Sequence, residues 1–264
     1  MLDIHCHIIP AIDDGASDLD TSLEMLSIAH KNGTKAIIAT PHVIEGKWLP
    51  SWEQILEGCR LLNDQGRKAG LDIPIYPGGE VAIHRDILDI VKGPGSYCLN
   101  SGRYMLVELP AMDIPGFTEE FFFTLQARGI TPVLAHPERH PVLGKDPEIL
   151  VEWIRRGVLL QVNGSSIMGR MGERSMRMAE LLLSRDMVHC IGSDAHGARR
   201  RSPNLSATAE KVAGLIGVEK ARQILTINPR QIIESRDVSI FEVKPAQPAK
   251  KTSMLKKFFG LIGM

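Results

Sequence analysis

The sequence predicts an α/β fold whose parallel sheet curls into a ring, and three observations predict it. Short apolar runs alternate with helical stretches, and strict β–α alternation produces a parallel sheet, closed or doubly wound. Asp3-Ile4-His5-Cys6-His7 opens the chain, and Ser193-Asp194-Ala195-His196 stands far downstream. In each, two ligand-type side chains are two residues apart, and residues i and i+2 of a strand point to the same side. Finally, the unusual polar residues follow the C-terminal ends of strand candidates, the face at which parallel barrels build their sites.

Taken in order, the strand candidates are Leu2–His7, Ala36–Ala39, Ile73–Pro77, Tyr104–Glu108, Thr131–Leu134, Val158–Val162 and Val188–Ile191. Between them the pattern predicts helices near Asp18–Lys31, Trp52–Ala69, Thr118–Ala127, Glu148–Arg156 and Arg174–Ser184. Ser17 or Asp18 suits the N-cap of the first, Leu23, Leu26 and His30 give it a spaced inner face, and Gly33 is its stop. Seven strands are one short of the usual eight-unit barrel. Further helices are expected at Leu205–Ile216 and Glu219–Thr226, with a short segment at Pro229–Ser235.

A chain of 264 residues suits one large domain. A hydrophobic fraction of 44% suffices for a sizeable core. Lys plus Arg and Asp plus Glu both number 31, so no global basic field points to nucleic acid. No secretory signal precedes the first strand and no apolar run is long enough to span a bilayer, so the expected compartment is the cytoplasm. Cys6, Cys59, Cys98 and Cys190 form no C-x-x-C pair. A thiolate zinc knuckle and a thioredoxin-type site are therefore excluded, and small buried hydrophobes are the expectation. Cys6 should face away from His5 and His7.

Nine residues are candidate metal ligands: His5, His7, Asp14, His42, Glu80, Glu108, His136, Asp194 and His196. A structural zinc site is four-coordinate and usually thiolate-rich. This set is larger, harder and free of sulfur, which suits two or three Mn²⁺, Fe²⁺, Zn²⁺ or Mg²⁺ ions with open positions. Three divalent ions against four carboxylates leave a positive excess that attracts an anion such as a phosphate ester.

The motifs Asp3-Ile4-His5-Cys6-His7, Asp13-Asp14-Gly15, Ala39-Thr40-Pro41-His42, Gly78-Gly79-Glu80, His136-Pro137-Glu138-Arg139 and Ser193-Asp194-Ala195-His196 resemble the polymerase and histidinol phosphatase (PHP) superfamily. Their spacing is most similar to its CpsB/CapC-type branch of bacterial manganese-dependent protein-tyrosine phosphatases, linked to capsule and exopolysaccharide export. The resemblance covers about residues 1–240. It implies a distorted (β/α)7 TIM-like barrel with up to three divalent ions, Mn²⁺ first, with Fe²⁺, Zn²⁺, Mg²⁺ or Co²⁺ as alternatives. It puts His5, His7, Glu80 and Asp194 on one ion, Glu80, Glu108 and His136 on a second, and Asp14, His42 and His196 on a third. Arg139 and Arg201 would bind phosphoryl oxygens, although Arg199-Arg200-Arg201 offers three adjacent candidates. The implied substrate is phosphotyrosine on the tail of a bacterial tyrosine autokinase. Asp14 and Glu108 favour this branch, since many PHP relatives carry histidine there. The competing functions are another PHP phosphoesterase, acting on histidinol phosphate or a nucleotide, and a module that binds phosphotyrosine without turnover.

Other polar residues carry plainer expectations. Asp3 is either an orienter of a ligand histidine or a simple N-terminal polar residue. Glu138 reads as a local contact and His189 as structural. His30 and His84 read as surface or satisfied core residues. The phenol of phosphotyrosine, with a pKa of ~10, leaves without a strong general acid; His140 and Glu138 are the nearest candidates for one. Lys244–Thr252 reads as a linker, and residues 241–264 as a tail separate from the 1–240 barrel. In Met254–Ile262 the apolar side chains fall in one arc at about 100° per residue. That basic amphipathic segment suggests peripheral contact of residues 254–264 with an anionic membrane; the rival readings are a disordered end, or a helix that docks onto the protein itself or a partner.

Overall fold

Among the strands, every pairing is parallel. The structure is a computed structural model and describes residues 1–245. β1 (Asp3–Cys6) pairs with β2 (Ile37–Ala39), and β2 with β4 (Ile75–Pro77). A second run joins β3 (His42–Val43), β5 (Glu80–Ala82), β6 (Tyr104–Glu108), β7 (Thr131–Ala135), β8 (Leu159–Asn163) and β9 (Cys190–Gly192). β2 and β3 are two pieces of one strand position, interrupted at Thr40-Pro41, and β4 and β5 are two pieces of the next, interrupted at Gly78-Gly79. The described residues therefore supply the seven positions read from the alternation. The ring closes where the His7 N–H donates to the Ala195 carbonyl and the Asp194 N–H to that of His5. This is the distorted (β/α)7 barrel expected.

The two interruptions are what the sequence reading lacked. Pro41 has no N–H to continue a ladder, and its carbonyl instead accepts from the Glu80 N–H at 2.9 Å. Gly78 lies so close to its neighbours that a Cβ there would stand 2.9 Å from Ile38 Cγ2. His42 and Glu80 therefore open short second segments instead of closing the first ones. Pieces of two and three residues are too brief to show a period.

The helices follow from local chemistry. Leu19–Lys31 is capped by Asp18, whose carboxylate accepts from the Thr21 N–H at 2.7 Å. Trp52–Lys68 begins with a reciprocal Ser51–Gln54 capping box. It buries Ile55, Cys59 and Leu62. Thr118–Ala127, Glu148–Arg155 and Glu173–Ser184 lie within a residue of expectation. After β9, Ser206–Ile216 is followed by Val218–Arg222, which continues through a π-turn at Gln223–Ile227 into Asn228–Ile233.

A small inner cluster, including Ile4, Ile38, Tyr104, Leu106, Val133, Leu159, Cys190 and Ile232, fills the barrel below the site. A larger cluster packs between strands and helices and takes in Cys6. All four cysteines are free and buried, and burial raises their thiols. Phe241 packs against the outer cluster, and the Lys244 ammonium stands 2.8 Å from Asp186 Oδ2. The expected membrane-binding segment, 254–264, lies outside the described residues. Among those described, no helix is long and apolar enough to cross a membrane.

Gly192 ties the fold to the site, because a Cβ there would stand 2.6 Å from the His5 Cβ. Gly192→Ala should cost about 1–3 kcal/mol of stability by overpacking, read as a lower urea midpoint. An unchanged midpoint would contradict this account of the closure.

Candidate metal centre

The nine predicted donors meet at the C-terminal mouth of the ring. His5 and His7 come from the first strand, His42 and Glu80 from the restarted strands, and Glu108 and His136 from the ends of β6 and β7. Asp194 and His196 follow β9, while Asp14 sits on the loop after β1. His136 and Asp194 have left-handed backbones, at φ +35° and +51°. Such conformations are uncommon for residues other than glycine and persist where surrounding contacts hold them.

Glu80 lies at the centre, fully buried. Its Oε1 is 2.8 Å from His136 Nε2 and 3.3 Å from His5 Nε2. Its Oε2 is 3.0 Å from His42 Nδ1 and 3.3 Å from His7 Nε2. Asp194 Oδ1 is 3.5 Å from His5 Nε2 and 3.6 Å from His7 Nε2. Glu108 Oε1 is 3.5 Å from His136 Nε2. On the outer side, Asp14 Oδ1 is 3.4 Å from Nε2 of both His42 and His196.

Hydrogen bonds fix which nitrogens face inward. His5 Nδ1 donates to Gln161 Oε1 at 2.8 Å, Gln161 Nε2 to Asn163 Oδ1 at 2.9 Å, and Asn163 Nδ2 to Asp194 Oδ2 at 2.6 Å. The chain ends on a carboxylate, which only accepts, so its direction is set throughout. His7 Nδ1 donates to Asp13 Oδ2 at 2.7 Å. His196 Nδ1 donates to the Asp194 carbonyl at 3.1 Å. Each of these three rings thus turns Nε2 toward the cluster.

This donor set fits divalent ions. Metal–ligand bonds of about 2.1 Å place neighbouring donors about 3.0–3.4 Å apart, and most distances above fall within or near that range. His5 Nε2 and His7 Nε2 face each other at 3.2 Å, so both can turn a lone pair to one cation once His7 gives up its proton. Glu80 Oε2, His42 Nδ1 and His196 Nε2 are buried without a hydrogen-bond partner. Three tight groups emerge among the described residues at this mouth: His5, His7 and Glu80; His42, Glu80 and Glu108; and His7, Asp14, His42 and His196. His7 and His42 each join two groups, so the neighbourhoods overlap more than the divisions implied by the resemblance.

The electrostatics follow from burial against mutual attraction. Burial works to lower His7, but the Asp13 carboxylate at 2.7 Å and the adjacent Glu80 charge prevail and raise it to about 10. His136 likewise reaches about 9, burial being overcome by Glu80 and Asp194. His196 falls to about 3 through burial and the neighbouring positive charges of His7 and Arg201. Burial opposes ionisation of Glu80 and Asp194, yet the surrounding imidazoles hold both low. Burial and the adjacent Glu80 charge raise Glu108.

Arg139 and Arg201 meet at the rim, each about one-third exposed. Arg139 Nη1 donates to Asp194 Oδ2 at 3.0 Å, and Arg201 Nη2 lies 2.6 Å from Asp194 Oδ1. Within the arginine run, Arg201 is the member that reaches Asp194. Beside Glu108, His136 and Arg139 opens a cleft of about 110 Å³ with an apolar wall of Leu109, Ala111 and Pro137.

Sequence reasoning gave no role to Asp13, Gln161, Asn163 or Trp48. Gln161 and Asn163 carried a usable signal, being polar residues at i and i+2 in an apolar strand, like the opening histidines. Asp3 accepts from the His5 and Ser193 N–H groups and so braces the closure between the first and last strands. Glu138 is buried and accepts from the Asn163 N–H. His189 Nδ1 accepts from the Leu160 N–H, and His140 Nε2 faces the Pro110 and Asp113 carbonyls. All three have local structural partners. His84 belongs to an exposed group with Glu45 and Asp86.

The family model for capsular polysaccharide synthesis, CpsB/CapC, matches residues 1–234. Tyrosine-protein phosphatase YwqE of Bacillus subtilis is 32% identical over 260 residues, covering 98% of this chain and 99% of its own. Tyrosine-protein phosphatase CpsB of Streptococcus pneumoniae is 28% identical, covering 88% of this chain and 98% of its own. A crystal structure from work on YwqE of B. subtilis and CpsB of S. pneumoniae, described as unique metal-dependent tyrosine phosphatases, superposes with a TM-score of 0.88. It is 29% identical, covering 94% of this chain and 100% of the other. Histidinol phosphate phosphatase of Lactococcus lactis shares the fold, with a TM-score of 0.55 at 16% identity over 83% of this chain and 93% of its own.

The raised histidines set a pH dependence. Without metal, His7 and His136 are protonated at neutral pH, since about 10 and about 9 lie above it. Coordination through these rings must release those protons. Mn²⁺ affinity should therefore rise from about pH 7 to 9 and level off above about 10. Calorimetry in buffers of different ionisation heat should detect the protons released. Affinity independent of pH, with no proton release, would refute the assignment.

Proposed function

The chain belongs to the CpsB/CapC family, and we propose that it is a metal-dependent phosphatase that hydrolyses phosphotyrosine on protein. The observation that carries this reading is the convergence of five imidazoles and four carboxylates beneath two rim arginines. We assign metal coordination to His5, His7, Asp14, His42, Glu80, Glu108, His136, Asp194 and His196. Up to three ions suit this set, with Mn²⁺ first and Fe²⁺, Zn²⁺, Mg²⁺ or Co²⁺ as alternatives. When bound, such ions acidify water and polarise the phosphoryl group.

The protein's own groups do the rest. Arg139 and Arg201 donate to the phosphoryl oxygens and neutralise the charge that grows on them in an in-line displacement. Their contacts with Asp194 keep both guanidiniums aimed at the donor cluster before substrate arrives. The apolar wall of Leu109, Ala111 and Pro137 takes the aryl ring beside them. Phenolate is a good enough leaving group that no strong acid is required, in keeping with the structural partners of Glu138 and His140. The substrate we favour is the phosphorylated tail of a bacterial tyrosine autokinase that controls capsule or exopolysaccharide synthesis, at the cytoplasmic face of the membrane. Residues 1–240 form the catalytic unit, and 254–264 supply a peripheral membrane contact.

Chelation should abolish hydrolysis of p-nitrophenyl phosphate and of a phosphotyrosine peptide, and Mn²⁺ should restore both. His136→Ala and Asp194→Ala should lose metal and most activity. Arg139→Ala should keep its metal, measured by elemental analysis, while kcat/KM falls about 10²–10³-fold. A metal-free protein with full activity would end the metal reading. Preference for histidinol phosphate would redirect the substrate, and phosphotyrosine binding without turnover would make it a binding module.

A truncation after residue 245 keeps the Lys244–Asp186 contact. It should retain phosphatase activity and lose binding to anionic vesicles at low salt. Equal sedimentation of both forms with the vesicles would remove the membrane proposal and leave the catalytic one intact.

A further inference from the structure

We propose that Trp48 is the positioning residue of His42, holding the imidazole by the plane of its indole where other histidines of the cluster are held by hydrogen bonds. The inference rests on the metal-centre reading above. His5, His7 and His196 each spend Nδ1 on a partner: Gln161 at 2.8 Å, Asp13 at 2.7 Å and the Asp194 carbonyl at 3.1 Å. Among the described residues, neither ring nitrogen of His42 makes a hydrogen bond, and its Nδ1 is buried without a partner. Both nitrogens nonetheless face carboxylates, Nδ1 toward Glu80 at 3.0 Å and Nε2 toward Asp14 at 3.4 Å.

An imidazole with no hydrogen bond turns easily about χ2, because that torsion has broad minima. Rotation would carry both nitrogens away from the carboxylates together. The Trp48 indole opposes it. Its centroid lies 5.2 Å from that of His42 with the planes only 10° apart. The neighbouring His7 ring is tilted by 55° and cannot set the same plane.

The indole is itself held locally. Trp48 closes a tight turn directly after β3, its N–H donating to the Ile44 carbonyl at 3.0 Å. Gly46 supplies the left-handed residue of that turn, at φ +74°. Two residues on, the Pro50 carbonyl accepts from the Tyr97 hydroxyl at 3.0 Å. The Lys47 ammonium lies 3.7 Å from the indole centroid, a cation–π contact. The turn thus brings an aromatic plane back onto the histidine that begins the same strand.

The test measures Mn²⁺ per chain by elemental analysis across buffered free Mn²⁺, for the wild type, Trp48→Ala, Trp48→Phe, His42→Ala and the double variant His42→Ala with Trp48→Ala. Melting temperatures are taken alongside. Trp48→Ala should weaken by about 10–100-fold the same Mn²⁺ sites that His42→Ala disrupts, and leave the site built on His5, His7 and Glu80 at wild-type affinity. Trp48→Phe, which keeps an aromatic plane, should recover most of that affinity. In the His42→Ala background, Trp48→Ala should have no further effect on binding. Wild-type Mn²⁺ binding by Trp48→Ala would overturn the proposal. So would loss of all sites together with a lower melting temperature, or failure of Phe to rescue, since each makes Trp48 a support of the fold. A wild-type protein that binds no Mn²⁺ would overturn the metal-centre reading as well, which separates the two failures.

Discussion

The structure is organised around one buried carboxylate. Glu80 is removed from water and faced by His5, His7, His42 and His136 at 2.8–3.3 Å. A carboxylate taken out of water is costly unless positive charge compensates it. Here the imidazoles surround it and hold it ionised against its burial. They come from strands far apart in the chain, so compensating Glu80 and closing the ring are one requirement. The break at Gly78-Gly79 belongs to that requirement, because it lets the chain pass close to Ile38 and restart with Glu80 at the centre.

Around this core runs a second ring of polar side chains that decides how the donors point. The Gln161–Asn163–Asp194 relay and the Asp13 carboxylate orient histidines by hydrogen bonds whose direction follows from the end group. Asp13 also accepts from the Gly15 and His42 N–H groups, which ties the loop after β1 to the start of β3. One carboxylate therefore orients His7 and sets the backbone that carries Asp14 and His42. Left-handed backbones at His136 and Asp194 concentrate strain at the same mouth, while the inner apolar cluster below makes the barrel a packed base. Rigidity beneath and oriented donors above are what reaction geometry demands, since small displacements of a catalytic group cost rate steeply.

The fold and the nine residues that converge at its mouth were largely legible in the sequence, because both rest on local rules. Parity along a strand puts His5 with His7. Alternation of strands and helices predicts a parallel sheet, and its C-terminal edge is the place to look for donors. The cap of the first helix was narrowed to Ser17 or Asp18 for the same reason, a single side chain acting three residues away, and the structure selects Asp18. The restarted strands β3 and β5 were not, since pieces this short carry no period and exist only because a neighbouring strand pairs with them.

What the sequence by itself determined, then, was the kind of chemistry: hard donors without thiolates, set at strand ends beside arginine. What only the tertiary structure decided was the partnership among them. That His7 and His42 each stand in two donor groups, that Arg201 is the arginine of its run that reaches Asp194, and that Gln161 orients His5 across 156 residues are distances between remote parts of the chain. No local pattern encodes such distances. They arise when strand register and ring closure fix where each side chain ends.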